Sequence, residues 1–201
     1  MEIIQWFEAI DKNIFTLIHS DGALPVIDSV MKGLRNAFTW VPLYAFILYW
    51  ILRHGKKYAW QFILLSLVTF AITDFVSASI LKPAFSRIRP CYDPELQDII
   101  RELVACGGQN SFPSSHASNH FGLAAFWFYS IYLIKGKNWH WLWIWALIIG
   151  YAQVYVGKHY PIDIIGGGLF GYVVGTFSAI IFERWLFPQP SFVSRSLPDF
   201  S

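Results

Sequence analysis

Three short polar clusters interrupt an apolar chain, and their residue types suit chemistry on a phosphate. "KPAFSRIRP" carries Lys82, Arg87 and Arg89; "FPSSH" carries Ser114, Ser115 and His116; "GKHYPID" carries Lys158, His159 and Asp163. Lysine and arginine supply positive charge and forked donors that match phosphoryl oxygens. "FPSSH" adds two hydroxyls and sits at the start of an apolar run, where the free backbone N–H groups and dipole of a helix N-terminus favour an anion. One histidine can attack phosphorus while another protonates the leaving oxygen. Asp163 follows His159 by four residues. A helix beginning at Pro161 would let its carboxylate reach back to the ring and fix its tautomer. No Cys/His/Asp cluster at metal spacing is needed. Side-chain cations do the charge neutralisation that Mg²⁺ performs elsewhere, so the expectation is no metal and no cofactor.

Those residues need a scaffold, and the composition indicates a membrane. Of 201 residues, 55% are hydrophobic and 14% charged, against about 25% charged in soluble domains. Segments 37–53, 58–81, 117–134, 139–157 and 162–186 are each near the ~20 apolar residues a bilayer requires. The fold class expected is all-α, a polytopic transmembrane bundle of five spans. Residues 1–36 mix apolar and charged positions at helical spacing and read as amphipathic interfacial helices, with a sixth span there as the alternative. The domain expected to carry the chemistry is 37–186, followed by a cytoplasmic tail over 187–201. No cleavable signal peptide is visible at "MEIIQWFEAIDKN". A net charge of +2 gives no reason to expect nucleic acid. The Trp-rich "WHWLWIW" reads as an interfacial belt.

Counting crossings puts the N-terminal segment, the 82–116 loop and the turn near residue 159 on one face. "RHGKK", "KGKN" and the tail fall on the other, and their basic, acid-free character marks that face as cytoplasmic. A bare Lys/Arg count does not decide the matter. Within the loop, "DPELQDIIRELVACGG" reads as a helix over 94–105, with Asp93 as N-cap, Pro94 at its first position and Gly107 or Gly108 ending it. Cys91 and Cys106 are the chain's two cysteines. Outside the cytoplasm they could close a loop of ~15 residues worth about 3 kcal/mol; two free thiols are the alternative.

The motifs resemble those of the type 2 phosphatidic acid phosphatase (PAP2) superfamily. Its K-x6-R-P pattern matches Lys82, Arg89 and Pro90. Its P-S-G-H matches Pro113, Ser114 and His116, with Ser115 replacing Gly. Its S-R-x5-H-x3-D matches His159 and Asp163, but Ala152 and Gln153 stand where Ser-Arg is expected. The resemblance implies that His159 forms a phosphohistidine, that Asp163 orients it, and that His116 is the general acid. It implies that Lys82, Arg89, Ser114 and the Ser115 backbone hold the phosphoryl group without a metal. Gln153 can donate hydrogen bonds but brings no charge; Lys158 or Arg87 is expected to compensate. The substrate class implied is a lipid phosphate or diphosphate at the outer face of a bacterial inner membrane. Undecaprenyl diphosphate leads, with phosphatidylglycerol phosphate, phosphatidic acid and a lipid A phosphate as alternatives. Membrane lipids are the other partners expected. A non-catalytic lipid-phosphate binder is the rival motivated by Gln153.

Three further features have plainer readings. His120 falls one helical turn after His116 and resembles a metal pair, but no third ligand is evident, so it reads as packed. Asp74 reads as a buried contact between helices. "GGGLFG" at 166–171 reads as close helix packing.

Overall fold

The computed structural model describes the backbone of residues 2–187 and the side chains of residues 5–187; the expected tail lies, from residue 188 onward, outside the described residues. Seven helices organise them: α1 (Glu2–Thr16, widening over Leu17–Asp21), α2 (Pro25–Leu34), α3 (Val41–His54), α4 (Lys56–Phe85), α5 (Ser115–Lys135), α6 (Trp141–Tyr155) and α7 (Pro161–Leu186). No strand occurs among the described residues; a single bridge joins Ile88 to Asn110. The fold class is therefore all-α.

The five windows expected to span map onto α3 to α7. Two of these helices are long and apolar enough to cross a bilayer on their own: α4 (mean hydropathy 2.0) and α7 (1.8). The others fall short for identifiable reasons. α3 and α6 have 14 and 15 residues, below the ~20 that span. α5 is long enough but begins with the polar run His116, Ser118, Asn119 and His120. The outer surface is nonetheless apolar. Trp60, Leu67, Phe75, Leu169, Val173 and Phe177 are each more than 60% exposed, an area of hydrocarbon that water would not tolerate in a monomer.

α5 is the central helix. Its Phe126 and Trp127 share one buried cluster with Trp50, Phe62, Trp145 and Phe182 of the other helices. Lipid supplies no hydrophobic force between helices, so close approach and polar bonds must hold them. Both are present. A Cβ on Gly171 would lie 2.1 Å from the Ser118 carbonyl oxygen, and one on Gly175 would lie 2.1 Å from that of Gly122. The small residues of "GGGLFG" and Gly175 thus let the α5 and α7 backbones touch. Asn119 bridges helices, donating to Asp74 (2.9 Å) and accepting from Thr73 (2.8 Å). Ser77 bonds Ser118 (2.9 Å), and Thr69 bonds Ser178 (2.7 Å).

The N-terminal segment shares one end of the bundle with the 82–114 loop and the turn before α7. In α1 the usual amphipathic arrangement is inverted: Asp11, Phe15 and His19 face inward and are buried, while Trp6, Phe7, Ile14 and Leu17 are exposed. His19 accepts the Arg101 N–H at Nε2 (2.9 Å) and bonds the Tyr155 carbonyl through Nδ1 (2.7 Å). Lys12 pairs with Asp93 (2.8 Å) and Glu95 (2.6 Å).

One expected element is cut short. Asp93 caps as expected, accepting the Glu95 N–H at 3.0 Å, but the helix is a 3-10 stretch ending at Ile99. Beyond it, tertiary partners take the groups a helix would use. The Arg101 N–H goes to His19, the Arg101 guanidinium to Asp28, and the Ala105 and Cys106 carbonyls to the Lys158 ammonium. Cys91 and Cys106 are joined as a disulfide, with Cα atoms 6.2 Å apart.

Candidate active site

α7 begins at Pro161, so Asp163 occupies its first turn and its carboxylate turns back on the preceding residues. Oδ2 accepts the Tyr160 N–H at 2.9 Å and lies 3.5 Å from His159 Nδ1. That second contact is an ion-pair distance without hydrogen-bond geometry, and Nδ1 has no other partner. On the far side of the ring, Arg89 Nη1 is 3.3 Å from Nε2. A guanidinium can only donate, so Nε2 accepts and the ring proton belongs on Nδ1, facing Asp163. Nε2, facing Arg89, then carries the ring's lone pair, as a nucleophile would need. Burial pushes the His159 pKa down to about 4, against the opposing effect of Asp163. The ring is neutral at ordinary pH, as attack requires.

The remaining cations are arranged by the pairing of two loops. Ser111 donates its N–H to the Arg87 carbonyl (2.7 Å) and Arg89 donates its own to Gln109 (3.0 Å). This short antiparallel pairing lays the Arg87–Arg89 segment against the approach to "FPSSH". Lys82, in the last turn of α4, ties down the same loop by donating to the carbonyls of Pro113 (2.8 Å), Ser111 (3.1 Å) and Asn110 (3.4 Å). Arg89 donates to the Gly108 carbonyl (2.5 Å) and the Lys158 carbonyl (3.1 Å). Lys158 donates to Ala105 and Cys106. Burial, then the nearby Arg89 and Arg35 charges, push its pKa down to about 8. Among the described residues, none of Lys82, Arg89 and Lys158 has a carboxylate partner. Their hydrogen bonds go to backbone carbonyls and, for Arg89, also to His159 Nε2.

"FPSSH" forms the start of α5. Ser114 is the buried N-cap: its Oγ accepts the Ala117 N–H (3.4 Å), and its own N–H donates to the Asp163 carbonyl (3.0 Å). The hydroxyl proton remains available to a ligand. Ser115 and His116 follow at the first helical positions, where N–H groups have no intrahelical acceptor. His120 is packed instead of ligating. Its Nδ1 bonds the His116 carbonyl (2.7 Å), its Nε2 lies 3.4 Å from the Tyr44 hydroxyl, and its ring sits against Trp145. No metal-ligating cluster of three or more groups occurs among the described residues.

Arg87 departs from the role expected of it. One terminal nitrogen bonds Asp163 Oδ1 (2.8 Å) and the other Asp11 Oδ2 (2.6 Å), so it cannot replace a phosphate-binding cation. Its guanidinium also covers the Tyr160 ring at 4.2 Å. Burial alone would lower the Arg87 pKa, but Asp163 and Asp11 hold it above the usual value. Lys158 is engaged too, though by carbonyls alone. Gln153 is fully buried, and neither its amide nitrogen nor its oxygen has a partner.

The sequence reading missed Asp11. Its second oxygen accepts the Ile162 N–H (2.9 Å), so it grips both the start of α7 and the arginine behind Asp163. The available signal was the spacing of Asp11, Phe15 and His19 along one helical face. Amphipathicity alone does not tell which face turns inward. Gly157 (φ 80°) completes the junction: a side chain there would meet the His19 ring at 2.9 Å.

Comparison with known proteins bears on this constellation directly. The PAP2 superfamily model matches residues 59–187. A lipid A 4'-phosphatase of Bacteroides thetaiotaomicron is 35% identical over 84% of this chain and 75% of its own. A lipid A 4'-phosphatase of Porphyromonas gingivalis is 27% identical over 97% of this chain and 81% of its own. The crystal structure of Aquifex aeolicus LpxE superposes with a TM-score of 0.60 at 25% identity, covering 83% of this chain and 92% of that one. The matched region contains all three polar clusters, and the chain belongs to the PAP2 superfamily, as a metal-independent membrane phosphatase.

Proposed function

We propose that this enzyme removes a phosphate group from a lipid head group through a phosphohistidine on Nε2 of His159, with a lipid A-type phosphate as the leading substrate. The observation that carries the reading is the set of carboxylate-free cations, Lys82, Arg89 and Lys158, gathered beside a neutral, buried histidine. The Nε2 lone pair attacks phosphorus as the P–O bond to the lipid breaks, and His116 gives the departing oxygen its proton. Water then attacks the phosphohistidine, returning a proton to His116 and releasing inorganic phosphate. Asp163 steadies the Nδ1 proton throughout. Lys82, Arg89, the Ser114 hydroxyl and the N-terminal N–H groups of α5 hold the equatorial oxygens.

The lipid A preference rests on the two lipid A 4'-phosphatase relatives, one of them 35% identical to this chain. It replaces undecaprenyl diphosphate at the head of the order, and that lipid remains the direct competitor. α3 to α7 are read as five spans, with the site on the outer face of the bacterial inner membrane. Their apolar outward surfaces and the clustering of the basic, acid-free connections at the opposite end support this.

The test is phosphate release by the detergent-purified chain in excess EDTA. The panel is a lipid A 4'-phosphate, undecaprenyl diphosphate, phosphatidylglycerol phosphate and phosphatidic acid. Fastest release from lipid A is expected. Faster release from undecaprenyl diphosphate would overturn the preference, and no release from any would overturn the hydrolytic reading.

A further inference from the structure

Arg35 lies outside all three motifs. It follows directly after α2 as its C-terminal cap. The chain around it is tightly held. The Thr39 hydroxyl donates to the Gly33 carbonyl (2.7 Å), and the Trp40 indole donates to the Leu34 carbonyl (2.7 Å). α2 itself is latched onto α6, because the Tyr155 hydroxyl donates to Asp28 (2.7 Å) and accepts the Leu24 N–H (3.1 Å). Trp40 packs edge-on against Trp145, which packs against His120, which bonds the carbonyl of His116. This series of contacts leads from the neighbours of Arg35 to the general acid.

The guanidinium has been brought there without a partner. Arg35 makes no ion pair or side-chain hydrogen bond among the described residues, and its Nε is buried with nothing to donate to. Its charge is felt by Arg89, Lys158 and His116. Every other arginine at this end is neutralised or occupied: Arg87 by two carboxylates, Arg101 by Asp28, Arg89 by two carbonyls. A partly buried cation facing other cations is unfavourable unless an anion is shared among them. Gln153, buried and unpartnered, contributes no charge to balance or replace it.

We propose that Arg35, supplied by the N-terminal segment, is a phosphoryl-binding residue that contacts the transferred phosphate together with Arg89 and Lys82. It provides the cation that Gln153 does not. The N-terminal helices are then part of the catalytic unit as well as an interfacial element. The inference rests on the phosphatase reading above but reaches beyond it, because it assigns a ligand to a residue outside the motifs.

Orthovanadate, a small mimic of the transferred group, is the probe. Binding is measured on the full-length, detergent-solubilised chain, alongside phosphate release in EDTA. Arg35→Gln should weaken orthovanadate binding about ten- to a hundred-fold, the range for one charge-assisted hydrogen bond, and should lower kcat/KM in parallel. An unchanged orthovanadate affinity with only a raised lipid KM would overturn the proposal and assign Arg35 to another part of the head group. A second measurement needs no variant: orthovanadate should protect Arg35 of the wild-type chain from phenylglyoxal. Equal modification with and without orthovanadate would overturn it. The two readings separate cleanly. A chain that binds orthovanadate through Arg35 but hydrolyses no lipid sinks the hydrolytic reading alone. One that hydrolyses lipid with Arg35→Gln indifferent sinks the Arg35 assignment alone.

Discussion

The two sides of His159 are built on opposite principles. Behind the ring, charges are paired: Asp11 to Arg87, Arg87 to Asp163, and Asp163 toward Nδ1. In front of it, Lys82, Arg89 and Lys158 have no carboxylate partner among the described residues. Two arginines only two residues apart make the contrast sharpest. Arg87 is locked by carboxylates and cannot serve a ligand; Arg89 is held only by carbonyls and faces Nε2. A paired charge is a structural member, and an unpaired one is available to an anion. Position within a motif does not reveal this; only the partners do.

The comparison can be broken at several strengths. His159→Ala removes the nucleophile and should reduce phosphate release by ~10³-fold or more, measured as kcat in EDTA. Arg87→Met leaves Asp11 and Asp163 facing each other uncompensated. Breaking a buried pair in this way costs about 3–5 kcal/mol, so a lower melting temperature and a fall in kcat should appear together. Replacing Cys91 and Cys106 with Ser opens a loop whose closure is worth about 3 kcal/mol, and the expected result is a lower melting temperature with smaller loss of kcat than Arg87→Met. Asp11→Asn keeps an acceptor for the Ile162 N–H and removes only the charge. It should lower kcat several-fold, from the ~1 kcal/mol by which a charge-assisted bond exceeds a neutral one, with KM little changed. The mildest probe is pH. Because burial sets the His159 pKa near about 4, kcat/KM should fall as pH drops through that value, when Nε2 takes a proton. An acid limb near the ordinary histidine value of 6.5 would place the ring in a more solvated setting than the one described.

Much of the site was legible because its residues obey strict local spacing. His159 and Asp163 meet because four residues and a helix start at Pro161 dictate it. Ser114 caps α5 because serine before an apolar helix does so. What escaped was set by contacts distant in sequence. Asp11 reaches Arg87 across 76 residues, and no local pattern encodes that. The loop helix expected through residue 105 stopped at Ile99 because His19 and Lys158 claim its backbone groups. Lys158 or Arg87 was expected to compensate for Gln153, yet the charge of Arg87 is already committed to two carboxylates. The five apolar windows found their helices, although two of those helices are shorter than the windows suggested.

The central claim is that the lone pair on Nε2 of His159 receives the phosphoryl group. Rapid acid-free quenching during turnover, with peptide mass spectrometry, tests it most directly. The account predicts an acid-labile, base-stable phosphate on the peptide bearing His159, attached at Nε2 and absent in His159→Ala. Phosphate found on His116, or steady turnover in the His159→Ala variant, would contradict it.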